Sequence, residues 1–309
     1  MSFINLIILF IGLAFKSLSQ PTLLPDFNFL ILGLDPRNDS LEQTQVTDTI
    51  ILGRLTSDAQ IKITSLPRDL WSYSLKTKIN QIYPLSLNVD NQYDFIQKNF
   101  QQITGQPINR TLILTTQNLI DLVTILGGVD VHLEKGFIDN QYPNPEYIKN
   151  PSPKVPVYKT IEFASGINHL DESNITEFVR SRKSAQTASE GGTDIGRTER
   201  QQLLIDAIIN KLKSPDILSS SDKILSLYNF YHQNISTNFT DVDIASLAIR
   251  INRHFLKSSI TKITIPTGEN PETDILYYPG KLTLGQWAFI PQDQDYSRFH
   301  LFLHQHFSP

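Results

Sequence analysis

Two aspartates near the start of the chain, Asp35 and Asp48, each sit beside the end of an apolar, strand-like run. Carboxylates converging from neighbouring strand ends can hold Mg²⁺, which takes oxygen ligands and often completes its shell with substrate phosphate. A plainer reading makes both of them turn residues. A second group is cationic: Arg68, then Arg180, Arg182, Arg197 and Arg200. Guanidinium forks match phosphate oxygens in a bidentate way and do not lose their charge. Arg197 and Gln201 are four apart, so they project together from one helix. The competing reading is solvated helix ends, paired with Glu177, Glu190, Asp194 and Glu199. His300 and His304 have a spacing that suits a metal on a helix, but no acidic partner follows them, and a structural role is expected.

These side chains need a frame. Residues Phe27 to Leu34, Thr49 to Leu55 and Ile61 to Ser65 read as strands, with a hairpin loop at 56–60. Gln117 to Leu126 carries an i, i+3, i+4, i+7 apolar pattern and stops at Gly127-Gly128, as a helix C-cap does. Val129 to Leu133 is again strand-like. Residues Asp139 to Pro156 hold five prolines and read as a surface loop. Asp171 to Arg182 is expected to be helical, with Asp171 as its cap. The small polar stretch Ser184 to Thr193 reads as a mobile loop. A long helix follows over Asp194 to Leu212, with Arg197, Gln201, Leu204 and Ile208 on one face. Helices over 217–232 and 242–255 and a strand over 260–265 complete the reading. Strands mixed with helices indicate an α/β sheet packed by helices.

The chain has 309 residues, 40% hydrophobic and 19% charged, so it can build a core and is not a disordered chain. Its net charge of -4 gives no global positive field for nucleic acid. It has no cysteine, which excludes disulfides, thiolate zinc sites and cysteine nucleophiles. It also lacks a P-loop, an HExxH and a GxSxG. The apolar run from Phe3 to Phe15 is shorter than the ~20 residues of a membrane-spanning helix. Lys16 beyond it can snorkel, and Ser17-Leu18-Ser19 is a small-x-small triplet like a signal-peptidase site. Residues 1–20 are therefore expected to be a signal peptide or an N-terminal membrane anchor.

The order and spacing of several short motifs resemble the LytR-CpsA-Psr family. They begin with Gly33-Leu34-Asp35-Pro36-Arg37, Asp48-Thr49-Ile50-Ile51-Leu52, Ser65-Leu66-Pro67-Arg68-Asp69 and Lys78-Ile79-Asn80. They continue with Leu126-Gly127-Gly128-Val129-Asp130-Val131, Phe178-Val179-Arg180-Ser181-Arg182 and the stretch Asp194 to Gln202. The resemblance implies a catalytic domain over 27–213 with a central mixed β-sheet flanked by helices (an α/β/α arrangement). Residues 214–309 would complete the same domain. It also implies a transferase that moves a glycan phosphate from a polyprenyl-pyrophosphate-linked donor to a peptidoglycan hydroxyl. Such an enzyme faces outward from the bacterial cytoplasmic membrane and uses Mg²⁺ or Mn²⁺. By motif match, Asp35 and Asp48 become metal-linked carboxylates, either of which could act as base, and Arg68 a catalytic cation. Arg68, Arg180, Arg182, Arg197 and Gln201 become pyrophosphate contacts, with Arg37, Asp69, Lys78 and Asp194 as neighbours. The family often has a basic residue just before the motif aspartate, where this chain has Val46 and Thr47. Two other functions fit the same residues: a pyrophosphatase of lipid-linked precursors, and a non-catalytic scaffold that binds the lipid carrier.

Overall fold

A computed structural model describes residues 26–34, 46–58, 60–181, 194–244, 246, 260–280, 284–292 and 295–307, with the backbone alone at 194, 195, 197 and 198. Asp35, Arg37 and Arg182, the N-terminal apolar run and most of the 242–255 segment lie outside the described residues. The described chain is a mixed α/β fold, and it divides into two compact units.

The first unit is built on a six-stranded sheet. Its strands, in spatial order, are Ser236–Thr237, Arg110–Thr115, Phe27–Leu34, Thr47–Leu55, Ile61–Ser65 and Ile260–Ile263. The 27–34, 47–55 and 61–65 strands pair antiparallel, whereas 260–263 runs parallel to 61–65, so the sheet is mixed. In Phe27–Leu34 alternate residues are buried, which places Leu30, Leu32 and Leu34 on the core face. Helices Gln92–Thr104 and Ser297–Phe307 cover that core through Ile96, Phe100, Ile103, Phe299, Leu303 and Phe307. The predicted strand at 49–55 begins two residues earlier, at Thr47.

The second unit has its own core, centred on Phe137, Phe163, Phe178, Val123 and Leu126. Helix Thr116–Leu126 starts at a reciprocal cap: Asn118 N donates to Thr115 Oγ1 (3.1 Å) and Thr115 N to Asn118 Oδ1 (2.8 Å). It ends at Gly127, whose φ of 73° is the left-handed conformation that glycine adopts without strain. Here the structure corrects two expectations. Residues 139–156 are not simply a loop: strand Phe137–Pro143 pairs with Tyr158–Phe163, and the prolines fall at its end and in the connection. The pairing buries Phe137, Tyr142, Ile161 and Phe163, which decides the matter against the prolines. Nor does Asp171 cap a helix. It accepts hydrogen bonds from Ser173 N (2.9 Å) and Ser173 Oγ (2.6 Å), and the helix runs from Ile175 to Arg180. A local turn won the carboxylate because its donors lie only two residues away. The long helix is found as expected, over Asp194–Leu212, and the predicted helix at 217–232 is two, Pro215–Leu218 and Ser221–Asn234.

Candidate active site

Asp48 owes its position to an irregularity in the sheet. Gly33 pairs with Thr49 but Leu34 pairs with Thr47, so Asp48 is the extra residue of a β-bulge. A bulge leaves one residue without a cross-strand partner and turns its side chain away from the regular alternation. Gly33 suits the place, since a Cβ there would lie 2.9 Å from Thr49 Cβ.

From Asp48 a chain of alternating charge crosses the end of the sheet. Arg68 Nη1 donates to Asp48 Oδ1, and Arg68 Nε lies 3.3 Å from Asp69 Oδ2. Lys78 Nζ donates to Asp69 Oδ1 at 2.7 Å. These side chains are partly sheltered, at 11% exposure for Asp48, 23% for Arg68, 12% for Asp69 and 21% for Lys78. The backbone beneath them is held from several directions. Leu66 N donates to Ile50 O, Asn80 N to Arg68 O, and Thr47 Oγ1 to Asn80 O. Strand Trp71–Ser72 pairs with Thr77–Lys78, which sets Lys78 opposite Trp71 and beside Asp69. On the other side Phe289 N donates to Asp69 O and Trp71 N to Phe289 O. The C-terminal part of the chain thus braces this motif.

Tyr296 adds a further brace. Its hydroxyl donates to Trp71 O (2.6 Å) and accepts from Tyr73 N (3.2 Å). Burial pushes this phenol up to about 12. A folded pKa above the unfolded value of ~10 means full stabilisation below about pH 10, lost as pH rises toward 12. Urea midpoints should therefore fall between about pH 10 and 12, and Tyr296→Phe should flatten that slope while lowering stability at neutral pH by about 1 kcal/mol. An unchanged slope in the variant would refute the assignment.

In the second unit, Arg180 is the last residue of helix Ile175–Arg180, with Nη2 3.4 Å from Thr116 Oγ1. Gln201 is half-buried on helix Asp194–Leu212, which also carries Asp194 and Arg197 in its backbone. Arg200, grouped in the sequence with the arginines that suit phosphate or solvated helix ends, is instead buried and bound to backbone carbonyls. It is 5% exposed, its Nε donates to Phe178 O at 3.1 Å, and its Nη2 donates to Ser181 O. Its guanidinium carbon lies 4.5 Å from the centroid of the Phe137 ring. Ser181 Oγ in turn donates to the buried Asp139 Oδ2 at 2.8 Å. Arg200 therefore caps the C-terminus of helix Ile175–Arg180 and fixes where the chain leaves Arg180. A charged residue flanked by polar neighbours gave no sign in the sequence that it turned inward.

The quartet Asp48, Arg68, Asp69, Lys78 carries two negative and two positive charges, so it is neutral as it stands. Its donor chemistry fits a hard divalent cation. Mg²⁺ takes one or two protein carboxylates and fills its shell with phosphate and water, and Asp48 offers one carboxylate. Among the described residues no group of three or more His, Asp or Glu is clustered, so a cage made wholly of protein ligands is absent from them. His300 has the structural role expected of it: Nε2 donates to Gln102 O at 3.0 Å and the ring stacks on Tyr296.

A model of the LytR_cpsA_psr family matches residues 17–287. The chain belongs to this family. Its relatives include the polyisoprenyl-teichoic acid–peptidoglycan teichoic acid transferase TagU of Bacillus mycoides, 25% identical over 255 residues, covering 81% of this chain and 72% of that protein. TagV of Bacillus subtilis, a transferase of the same name, is 24% identical over 218 residues, covering 69% of this chain. The chain's match spans about half of that relative, 49% of its length. The fold is that of the crystal structure of B. subtilis TagV, at a TM-score of 0.62 and 20% identity, covering 92% of this chain and 97% of that one. A structure of TagT bound to LIIa-WTA is similar at a TM-score of 0.60 and 20% identity, covering 93% and 92%. No helix among the described residues is long and apolar enough to cross a membrane.

Proposed function

We propose that this protein is a phosphotransferase, moving a glycan phosphate from a polyprenyl-pyrophosphate-linked donor to a hydroxyl of peptidoglycan at the outer face of the bacterial cytoplasmic membrane. The observation that carries the reading is the braced, charge-neutral quartet at Asp48–Arg68–Asp69–Lys78, in a chain whose family relatives bear transferase names. Residues 1–20 would supply the membrane anchor or export signal.

In this reading the acceptor oxygen forms a bond to the glycan-side phosphorus. The bond from that phosphorus to the bridging oxygen breaks, and polyprenyl phosphate leaves. The acceptor proton passes to a carboxylate, Asp48 or Asp35. Arg68 releases part of its hold on Asp48 and Asp69 and turns its fork to the diphosphate, where charge grows as the bond breaks. Lys78 stabilises the same oxygens as a point charge. Because the quartet is neutral, a diphosphate needs further positive charge. Arg180, Arg182, Arg197 and Arg37 are the side chains proposed to add it, with Gln201 as a neutral donor and Asp194 as their orienting partner. Asp35 and Asp48 would hold Mg²⁺ or Mn²⁺, which supplies charge neutralisation at the phosphate oxygens when bound.

The test is product analysis with purified protein, lipid-linked glycan and peptidoglycan. A phosphodiester on the peptidoglycan together with free polyprenyl phosphate is expected. Release of phosphorylated glycan to water alone would replace transfer by pyrophosphatase activity. Unchanged attachment by an Asp48→Ala protein would leave a lipid-carrier-binding scaffold.

A further inference from the structure

A cavity of about 400 Å³ opens beside Lys78, and it is lined mainly by uncharged polar side chains: Thr77, Asn80, Gln81 and Gln286, with Leu85 at its wall. It adjoins the quartet directly, since Lys78 Nζ is 2.7 Å from Asp69 Oδ1 and Asn80 N donates to Arg68 O at 3.2 Å. Asn80 Oδ1 is buried and has no hydrogen-bond partner among the described residues. Buried acceptors of this kind are rare and call for an explanation.

The volume lies within the range of small-ligand sites. Amide side chains offer both donors and acceptors, as does a threonine hydroxyl. That combination matches the hydroxyls of a sugar ring, each of which gives and takes a hydrogen bond. Leu85 supplies an apolar surface for the ring's C–H face. Among the described lining residues one is charged, Lys78, whose ammonium marks the end where a phosphate would sit. Among the described residues no carboxylate lines the cavity, which disfavours a cationic ligand there.

We infer that this cavity is a glycosyl phosphate subsite, which holds the sugar attached to the donor diphosphate and so sets which glycan is accepted. The inference rests on the transferase reading above and assigns the sugar to named residues. Gln81 and Gln286 grip ring hydroxyls, Asn80 meets a hydroxyl after rotation of its amide, and Lys78 holds the phosphate end.

The protein is titrated with inorganic phosphate, with free glucose, galactose and N-acetylglucosamine, and with their 1-phosphates, followed by isothermal titration calorimetry. At least one sugar 1-phosphate is expected to bind about tenfold more tightly than inorganic phosphate. Q81L combined with Q286L should remove that margin and leave phosphate affinity in place. Q286E, at an exposed position that tolerates charge, should weaken the sugar 1-phosphate several-fold. Equal affinity of all sugar phosphates and inorganic phosphate, or a double variant with an unchanged margin, overturns the inference. Donor KM in the transfer assay separates the two readings. If transfer proceeds with the same KM in the folded double variant, the subsite is wrong and the transferase stands. If no transfer occurs but the sugar margin persists and depends on Gln81 and Gln286, the subsite stands without the transferase.

Discussion

Arg68→Ala should lower glycan transfer by about 10²- to 10³-fold, the loss typical of removing one preorganised donor from a developing charge. Arg68 is the central member of the quartet, between Asp48 and Asp69. Its removal takes away the fork proposed to turn to phosphate and leaves one positive charge, on Lys78 beside Asp69, against the two carboxylates of the quartet. A diphosphate would then approach a net negative surface. Arg68→Lys should recover little, because a point charge cannot span two acceptors as the planar fork does. The measurement is single-turnover release of polyprenyl phosphate, compared with a thermal unfolding curve. At 23% exposure the Arg68 side chain contributes modestly to stability, so the Tm should move by only a few degrees. Transfer within threefold of the parent would remove Arg68 from the chemistry.

Arg200→Ala should cost about 3–6 kcal/mol of stability, the sum of two hydrogen bonds to a charged group at about 1.5–3 kcal/mol each. The Phe178 and Ser181 carbonyls lose their donor, and the Phe137 ring loses the cation stacked on it. Ser181, whose hydroxyl donates to the buried Asp139, loses the guanidinium that holds its carbonyl. Arg200→Lys keeps the charge but places one ammonium where two separate donors are needed, so at least half of the loss should remain. Urea unfolding followed by tryptophan-independent far-UV signal reads this directly, since the second unit depends on helix Ile175–Arg180 for its core. A loss under about 1 kcal/mol would mean that Arg200 is a surface residue in solution. Because Arg200 fixes the exit from Arg180, folded Arg200 variants should also show a raised donor KM.

The strands at 27–34 and 61–65 were legible because each is a short apolar or β-rich run whose ends fall at turn residues. The 116–126 helix was legible from its apolar repeat and the glycines after it. Phe137–Pro143 was not, because local proline content outweighed a pairing whose partner lies some twenty residues away. The bulge at Asp48 was equally invisible, since it is a mismatch between two strands and neither strand states it alone.

Read alone, the amino-acid order settled the family motifs, the α/β class and the identity of the acidic and basic groups. Those depend on residue type and on spacing along a single element. Tertiary structure alone decided that Arg200 faces inward, that Asp48 stands on a bulge, and that the chain near Phe289 supports Asp69. Each of these is a relation between segments distant in sequence. Burial and hydrogen-bond partnership are set by what the opposing segment presents, and a linear pattern carries no record of which segment that will be.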